Sequence, residues 1–522
     1  MGLLALNRLM SVRRDRRRRP TQVPDRLVTS TAKRKDSPCP RGDNSRSEKK
    51  LRYSGTSLPE DIWHHIHSLL PLRDAARVAC VSRSFKNYWR CYPNLTITRK
   101  TLGMENEMSS AKVSVVLANR TKHILRNHSG VGIKALELQI NDFPVFTASS
   151  DVDRWLRVAL GGGIEKLDLR LWLHSRDAGV YNFPYRRLLD GSGKSIQDLH
   201  LSNCAFRPTA GLGCFTSLTS LSLRYVHITG DELRCLLSSS VALVKLGLEF
   251  CNKLIFLEIP SLLQRLSHLV VRDCKSLKVI ESRAPNLYSF RCDGGALVQL
   301  SLGDSLQNFK FCHSSWDVFH YACKKHPHMV PNLEALDIFS SYVRDTLVVP
   351  VPGKFLQLRR LCIGFISPDY DYLSLVPFLD ACPSLETFML YVELDAMEEE
   401  SVSGDSCHYD LRRVQGHYSH RNIKDVRIIG FRPAKSMVEL TCHILENAKS
   451  LQRLTLDILY NDGGGEGLCS YGKNGAKCLS MTRGMIVEAH KALSSVEKYI
   501  VGKVPSSVEL KVVKPCSRCN AL

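Results

Sequence analysis

One phrase of apolar and polar positions recurs through most of the chain. An apolar residue is followed by two others, a second apolar residue, one other, and a third apolar residue. The phrase is met at Ile133-Leu136-Leu138, Ile164-Leu167-Leu169 and Ile196-Leu199-Leu201, and closes at Leu451-Leu454-Leu456 after 13 copies, mostly 19 to 32 residues apart. Alternation over its second half is the period of a strand with one buried face. A single copy cannot bury its own apolar edge, so the copies must stack on a shared core as a solenoid. The long, irregular spacing leaves room for helices or extended loops on the convex side, and Asp151–Leu156 and Asp231–Leu236 fit two such helices. The fold class is therefore α/β, a curved parallel sheet with helices and loops behind it.

A different pattern precedes the array. Over residues 55–97 the apolar residues Ile62, Ile66, Leu69 and Leu70 recur at helical steps of four and three. Ser57 and Glu60 have capping-box spacing, and Pro59 sits where a first helical turn needs no amide donor. Pro71 ends that helix, Asp74 can start a second, and Ser82 can cap a third that carries Phe85, Tyr88 and Trp89. Three helices in so short a stretch cannot bury a full core alone, and such a module tends to complete its core on a partner.

The order L-P-x-D…I…LL-P-L-R-D-A-A-R…V-S-R-x-F…W-R…P-N-L, from Leu58 to Leu95, resembles the F-box of land-plant F-box/leucine-rich-repeat proteins, closest in detail to grass members. The array has the leucine-rich-repeat signature. The resemblance implies that the module docks on a Skp-type adaptor and through it on the cullin and RING subunits of a ubiquitin ligase. Carried over by position, Leu58, Pro59, Ile62 and Ile66 would meet the adaptor, as would the face around Leu70, Pro71, Val81 and Ser82. Leu69, Ala76, Phe85 and Trp89 would hold the three helices together. The far end, with NIKDVRIIGF at Asn422–Phe431 and a helix through Met437–Ala448, is similar to the FBD-type region of the same family, over about residues 400–460.

The residues between the apolar positions of each phrase face the concave surface. Glu165, Asp168, His200, Arg224, Glu249 and Arg272 are the candidates for target binding. Mixed polar side chains of this kind suit a protein partner better than a buried metabolite. The remaining segments are a basic tail (1–54), a helical linker (98–130), a solenoid over 131–460, a Gly-rich loop (461–480), and a capping helix with a tail (481–522).

Charge changes the picture at one end. The chain carries +21 over 522 residues, and residues 1–57 hold 16 Lys/Arg against 5 Asp/Glu. Such a composition is expected to be disordered. Arg16, Arg17, Arg18 and Arg19, then Lys33, Arg34 and Lys35, then Lys49 and Lys50, form short basic runs that suit a nuclear-import receptor or serve as a solvated linker. The expected location is nucleus, cytoplasm or both. Nucleic acid is not the expected partner, since tail-driven binding would be salt-sensitive and sequence-blind. No apolar run approaches the roughly 18 residues that span a bilayer, so no membrane partner is expected.

Nineteen scattered cysteines with no secretory signal read as reduced thiols. Cys204, Cys251 and Cys274 stand where these repeats place Asn or Cys, a structural position. Cys516-Ser-Arg-Cys519 is a lone C-x-x-C without a second ligand pair. His64, His65 and His67 fall mainly on the polar side of their helix. Gly191-Ser-Gly-Lys-Ser195 lacks the leading glycine of a phosphate loop, since Leu188 occupies that position, and it reads as a polar turn. No catalytic constellation is recognisable, and neither catalysis nor a cofactor is expected. The expectation is a substrate-recognition subunit of a Skp–cullin–F-box ligase. A non-ligase leucine-rich scaffold and a small-molecule co-receptor of the same architecture are the rivals.

Overall fold

A computed structural model of the chain describes residues 58–81, 83–104, 110–139, 149–161, 163–171, 180–189, 192–209, 215–294, 298–313, 331–340, 354–365, 370–392, 411–412, 420–458 and 483–515. The basic clusters of the tail, Ser82, the Gly-rich loop and Cys516–Cys519 lie outside the described residues.

Fifteen strands form one sheet, and each pairs in parallel with the next. The phrase explains the register. Leu136 and Leu138 stand opposite Leu167 and Leu169, which stand opposite Leu199 and Leu201, and so on along the array. These side chains are buried in one continuous core, whereas most residues between them are exposed or half-buried, Asp168 and Cys362 being buried exceptions. Parallel sheets usually cover both faces. Here one face holds the core, and the other is left polar over its first strands and carries Phe339, Met389 and Tyr391 further along.

The sheet extends beyond the 131–460 span at both ends. It begins at Asn94–Ile97, inside the segment read as the helical module, and ends at Glu509–Val513, inside the segment read as a tail. Both strands escape notice for the same reason. The first phrase opens on an aromatic, Tyr92-Leu95-Ile97, and the last has Ser507 where an apolar residue should lead. Leu254-Leu257-Ile259 also repeats the phrase, between two copies of the array, but does not join the long sheet. Its strand, Phe256–Ile259, belongs to a separate three-stranded sheet with Val279–Ser282 and Gln299–Ser301, whose inner residues meet the same core.

At the N-terminal end three helices, α1 (Glu60–Leu69), α2 (Leu72–Ala79) and α3 (Arg83–Arg90), form the expected module. Pro59 and Pro71 are themselves the N-caps, with no side-chain cap bond, so Asp74 is not what begins the second helix, and Ser57 lies outside the described residues. Proline at φ near −55° with extended ψ already aims the chain into a helix. Leu72 and Ala75 of α2 join the core beneath Leu95 and Ile97, so the module is packed directly onto the first strand.

Behind the sheet lie α4 (Ser110–Asn127), α5 (Ser149–Leu160), α6 (Gly230–Ser239), α7 (Val376–Asp380), α8 (Lys435–Asn447) and α9 (Arg483–Tyr499). Thr229 and Glu232 close a reciprocal capping box at the start of α6. The buried Glu439 of α8 is held by Arg412, through Nε to Oε2 at 2.8 Å and the backbone N–H to Oε1 at 2.8 Å. Gly430 turns the chain into this end at φ +78°, where a Cβ would clash with the Val392 carbonyl oxygen.

Candidate interaction surfaces

Two surfaces stand out, one on the helical module and one on the sheet. On the first, Ile62, Ile66 and Leu69 follow one another at four and three residues, so they share a helical stripe, and Leu58 stands just ahead of the helix. That stripe faces water: Leu58 and Ile62 are each 40% exposed, Ile66 39% and Leu69 70%. Val81 beyond α2 is 82% exposed, and Pro59 and Pro71 are exposed beside them. Leu70 is half-buried against the core. A row of uncovered aliphatics is the mark of a surface that meets a partner.

The inward face of α1 is built from other residues. His67 is buried, its Nε2 at 3.2 Å from the Ala75 carbonyl oxygen, which can only accept, so Nε2 carries the proton. Its ring lies among Phe85, Tyr88 and Tyr92 at 5.8 to 6.3 Å, and Trp63 meets Phe85 edge-on at 5.8 Å. Burial pushes the His67 pKa down, with the Ala75 hydrogen bond opposing. Two sequence expectations are thereby corrected. Leu69 is not a core residue but the most exposed member of the α1 stripe, and His67 is not solvated but central. With the helix starting after Pro59, the inward direction is fixed by Trp63, His67 and Leu70, and Leu69 is rotated about 100° away from Leu70. Ala76 is buried as expected, Phe85 is partly covered among Trp63, His67 and Tyr88 inside the module, and Trp89 is partly covered at the joint with the solenoid.

On the sheet, the polar face carries a ladder of charges along a single register row. Arg170, Ser202, Arg224, Glu249, Arg272 and Asp293 are consecutive partners across six strands. Glu249 is shared by Arg224 (3.6 Å) and Arg272 (3.4 Å). Asp293 is shared by Arg272 (2.9 Å) and Arg291 (2.6 Å). Asp168 holds Arg170 through two bonds of 2.9 and 2.7 Å, and His200 stands opposite Asp168 in the next strand. Burial lowers the His200 pKa, and Asp168 opposes that shift. Five of the six candidate residues thus come together on this face. Glu165 does not: it precedes its strand and pairs with Lys134 at 2.6 Å, at the rim.

Past the end of this row lies a feature that sequence reasoning did not single out. Asn203, Tyr225, Phe250 and Asp273 occupy the same position in four successive repeats, all with φ between 50° and 60°. The N–H of each donates to the next strand, at Arg224, Glu249, Arg272 and Asp293 respectively, which holds the turn in its left-handed form. The rings of Tyr225 and Phe250 stack at 4.4 Å and 8°, with the Arg224 guanidinium over both at 5.6 and 5.9 Å. Left-handed backbone is uncommon for aromatic residues. The signal was present in the sequence as Leu223-Arg224-Tyr225 and Leu248-Glu249-Phe250, two positions beyond the repeating phrase.

Comparison with known proteins decides the family. The At1g61320/AtMIF1 LRR domain matches residues 124–517, and the F-box domain matches residues 56–95. The chain belongs to the At1g61320/AtMIF1 leucine-rich-repeat family. It is 23% identical over 438 residues to the FBD-associated F-box protein At1g61320 of Arabidopsis thaliana, a match covering 80% of this chain and 91% of that one. It is 26% identical over 200 residues to the F-box protein At5g03100 of the same plant, covering 38% of this chain and 57% of the relative, so that match spans little more than half of it. An internalin (inlF) of Listeria monocytogenes shares 13% identity at a TM-score of 0.32, over 65% of this chain and 88% of its own.

Within the family's repeat frame the cysteines find a structural role. Cys251 and Cys274 are buried, and their thiols reach the Leu223 and Leu248 carbonyl oxygens at 3.5 and 3.8 Å. Each thiol ties its turn to the preceding strand, as a side-chain amide would. Burial pushes the Cys204 thiol up to about 12, which makes it a poor nucleophile. Ser195 enters the next strand from a short turn, its Oγ donating to the Ile164 carbonyl at 2.8 Å, in keeping with a polar turn.

Proposed function

We propose that the chain is the substrate-recognition subunit of a Skp–cullin–F-box ubiquitin ligase. The observation that carries this reading is the aliphatic stripe Leu58, Ile62, Ile66 and Leu69, uncovered on a module whose own interior is already filled by His67, Phe85 and Tyr92. A Skp-type adaptor covers that stripe and brings the cullin and RING subunits. The charged ladder and the Tyr225–Phe250 pair bind the target protein. The chain contributes no reacting group. It raises the effective concentration of target lysines near the ubiquitin-conjugating enzyme. The basic runs at Arg16–Arg19, Lys33–Lys35 and Lys49–Lys50 direct the protein to the nucleus.

The test is co-expression with a plant Skp-type adaptor, alongside a Leu58→Ala/Pro59→Ala form. Co-purification lost in the double variant supports the proposal. A folded chain that recruits no adaptor overturns it.

A further inference from the structure

A cavity of about 520 Å³ lies at the joint between the F-box and the solenoid, within the size range of small-molecule sites. Its floor is apolar, with Leu72 and Ala76 from α2, Trp89 from α3, Leu102 from the turn after the first strand and Ile124 from α4. Its rim is cationic. Arg73, Lys86, Arg90, Arg120 and Arg126 converge on it from three helices, and no carboxylate among the described residues lines it.

This arrangement differs from the rest of the molecule. On the sheet face arginines are answered by acids, as in the run from Arg224 to Arg291. The rim cations form no ion pair among the described residues. Arg73 donates only to the Lys100 carbonyl, and Arg120 Nη1 to the Leu102 carbonyl. Among the described residues the buried Arg120 Nε has no hydrogen-bond partner, and burial lowers the pKa of this guanidinium. A buried donor left unmet costs free energy, and more so on a charged group. Like charges gathered over an apolar floor repel one another, and an anion relieves both defects at once. A bare inorganic ion would leave Trp89, Leu102 and Ile124 wet.

We propose that this cavity binds a small organic anion, with an apolar body on Trp89, Leu102 and Ile124 and a carboxylate or phosphate held by Arg120 and the neighbouring rim. No residue of α1 lines the cavity, so the site and the Leu58–Leu69 stripe can be occupied together. The ligand touches α2, α3 and α4, so its binding ties the F-box to the solenoid and stabilises the folded chain.

The full-length protein is titrated calorimetrically with 1-naphthyl phosphate, 2-naphthoate, naphthalene-2-methanol and inorganic phosphate. At least one aromatic anion binds and raises the melting temperature, and the preferred one identifies the headgroup. The neutral alcohol and inorganic phosphate each bind at least about tenfold more weakly. Arg120→Gln weakens the aromatic anion about tenfold or more, as loss of a charge-assisted hydrogen bond requires. Ala79→Trp fills the cavity and abolishes binding, and Lys245→Gln on the sheet leaves it unchanged. Should Arg120→Gln lower the melting temperature without probe, the exposed Arg90→Gln replaces it. Three outcomes overturn the proposal: no binding of either aromatic anion at about 1 mM, equal binding of the alcohol or inorganic phosphate, or full affinity retained by both Arg90→Gln and Ala79→Trp.

Discussion

Replacing Ile62 and Leu69 together by alanine separates an interface role from a core role. In the free chain Ile62 leaves 40% and Leu69 70% of its surface in water. Burying a whole aliphatic side chain gains roughly 1.5–3 kcal/mol, so covering the exposed parts of this pair with a partner gains about 2–3 kcal/mol. Because every 1.4 kcal/mol is a factor of ten, the Kd for the Skp-type adaptor rises roughly 30- to 140-fold. The free chain should scarcely notice, since surface substitutions cost about 0.5 kcal/mol or less. Two measurements decide: adaptor affinity by calorimetry, and stability of the free chain by urea unfolding. His67→Ala is the contrast, because it removes a buried ring and leaves the Ala75 carbonyl without its donor. It should cost about 2–4 kcal/mol of stability. If the double variant lost as much stability as His67→Ala, or bound the adaptor with unchanged affinity, the assignment of the stripe to an interface would be wrong.

Stability should also fall as the pH drops below about 6.5, the ordinary histidine value. His128 accepts the Gly130 N–H at Nδ1 and meets the Tyr92 carbonyl through Nε2, so it is neutral in the fold, and burial lowers its pKa, as it does for His67 and His420. The unfolded chain then binds protons that the native one does not, so stability is full above the unfolded value and is lost as the pH falls through the lowered ones. Urea midpoints at pH 7.5 and pH 5 check this, and equal midpoints would contradict it. Arg412→Ala strands the buried carboxylate of Glu439, at a cost of about 3–5 kcal/mol. Adding Glu439→Gln should recover much of the loss, and a lack of recovery would remove the ion pair as the cause. Gly430→Ala introduces a Cβ against the Val392 carbonyl at φ +78°, and should cost at least roughly 2 kcal/mol. An unchanged melting temperature would show that the turn relaxes freely.

The amino-acid sequence by itself determined the repeat, the helical module and the fold class, because each rests on a local period. An apolar phrase of strand period buries one face of a strand wherever it occurs, and Pro59 and Pro71 punctuate the helices wherever the rest of the chain goes. The ends of the sheet were less legible, since Tyr92 and Ser507 depart from the apolar lead that marks a strand. Only the tertiary structure decided which copies share a sheet. Leu254-Leu257-Ile259 carries the same phrase as its neighbours, yet pairs on a different sheet of the same core. Only the structure, too, decided which face of α1 is inward, because both faces carry large side chains and the choice depends on what α2 and α3 offer to fill. The charge ladder, the Tyr225–Phe250 stack and the cationic cavity bring together residues tens of positions apart. Their chemistry is set by distances that no local period encodes, and the stacking of repeats alone brings them into contact.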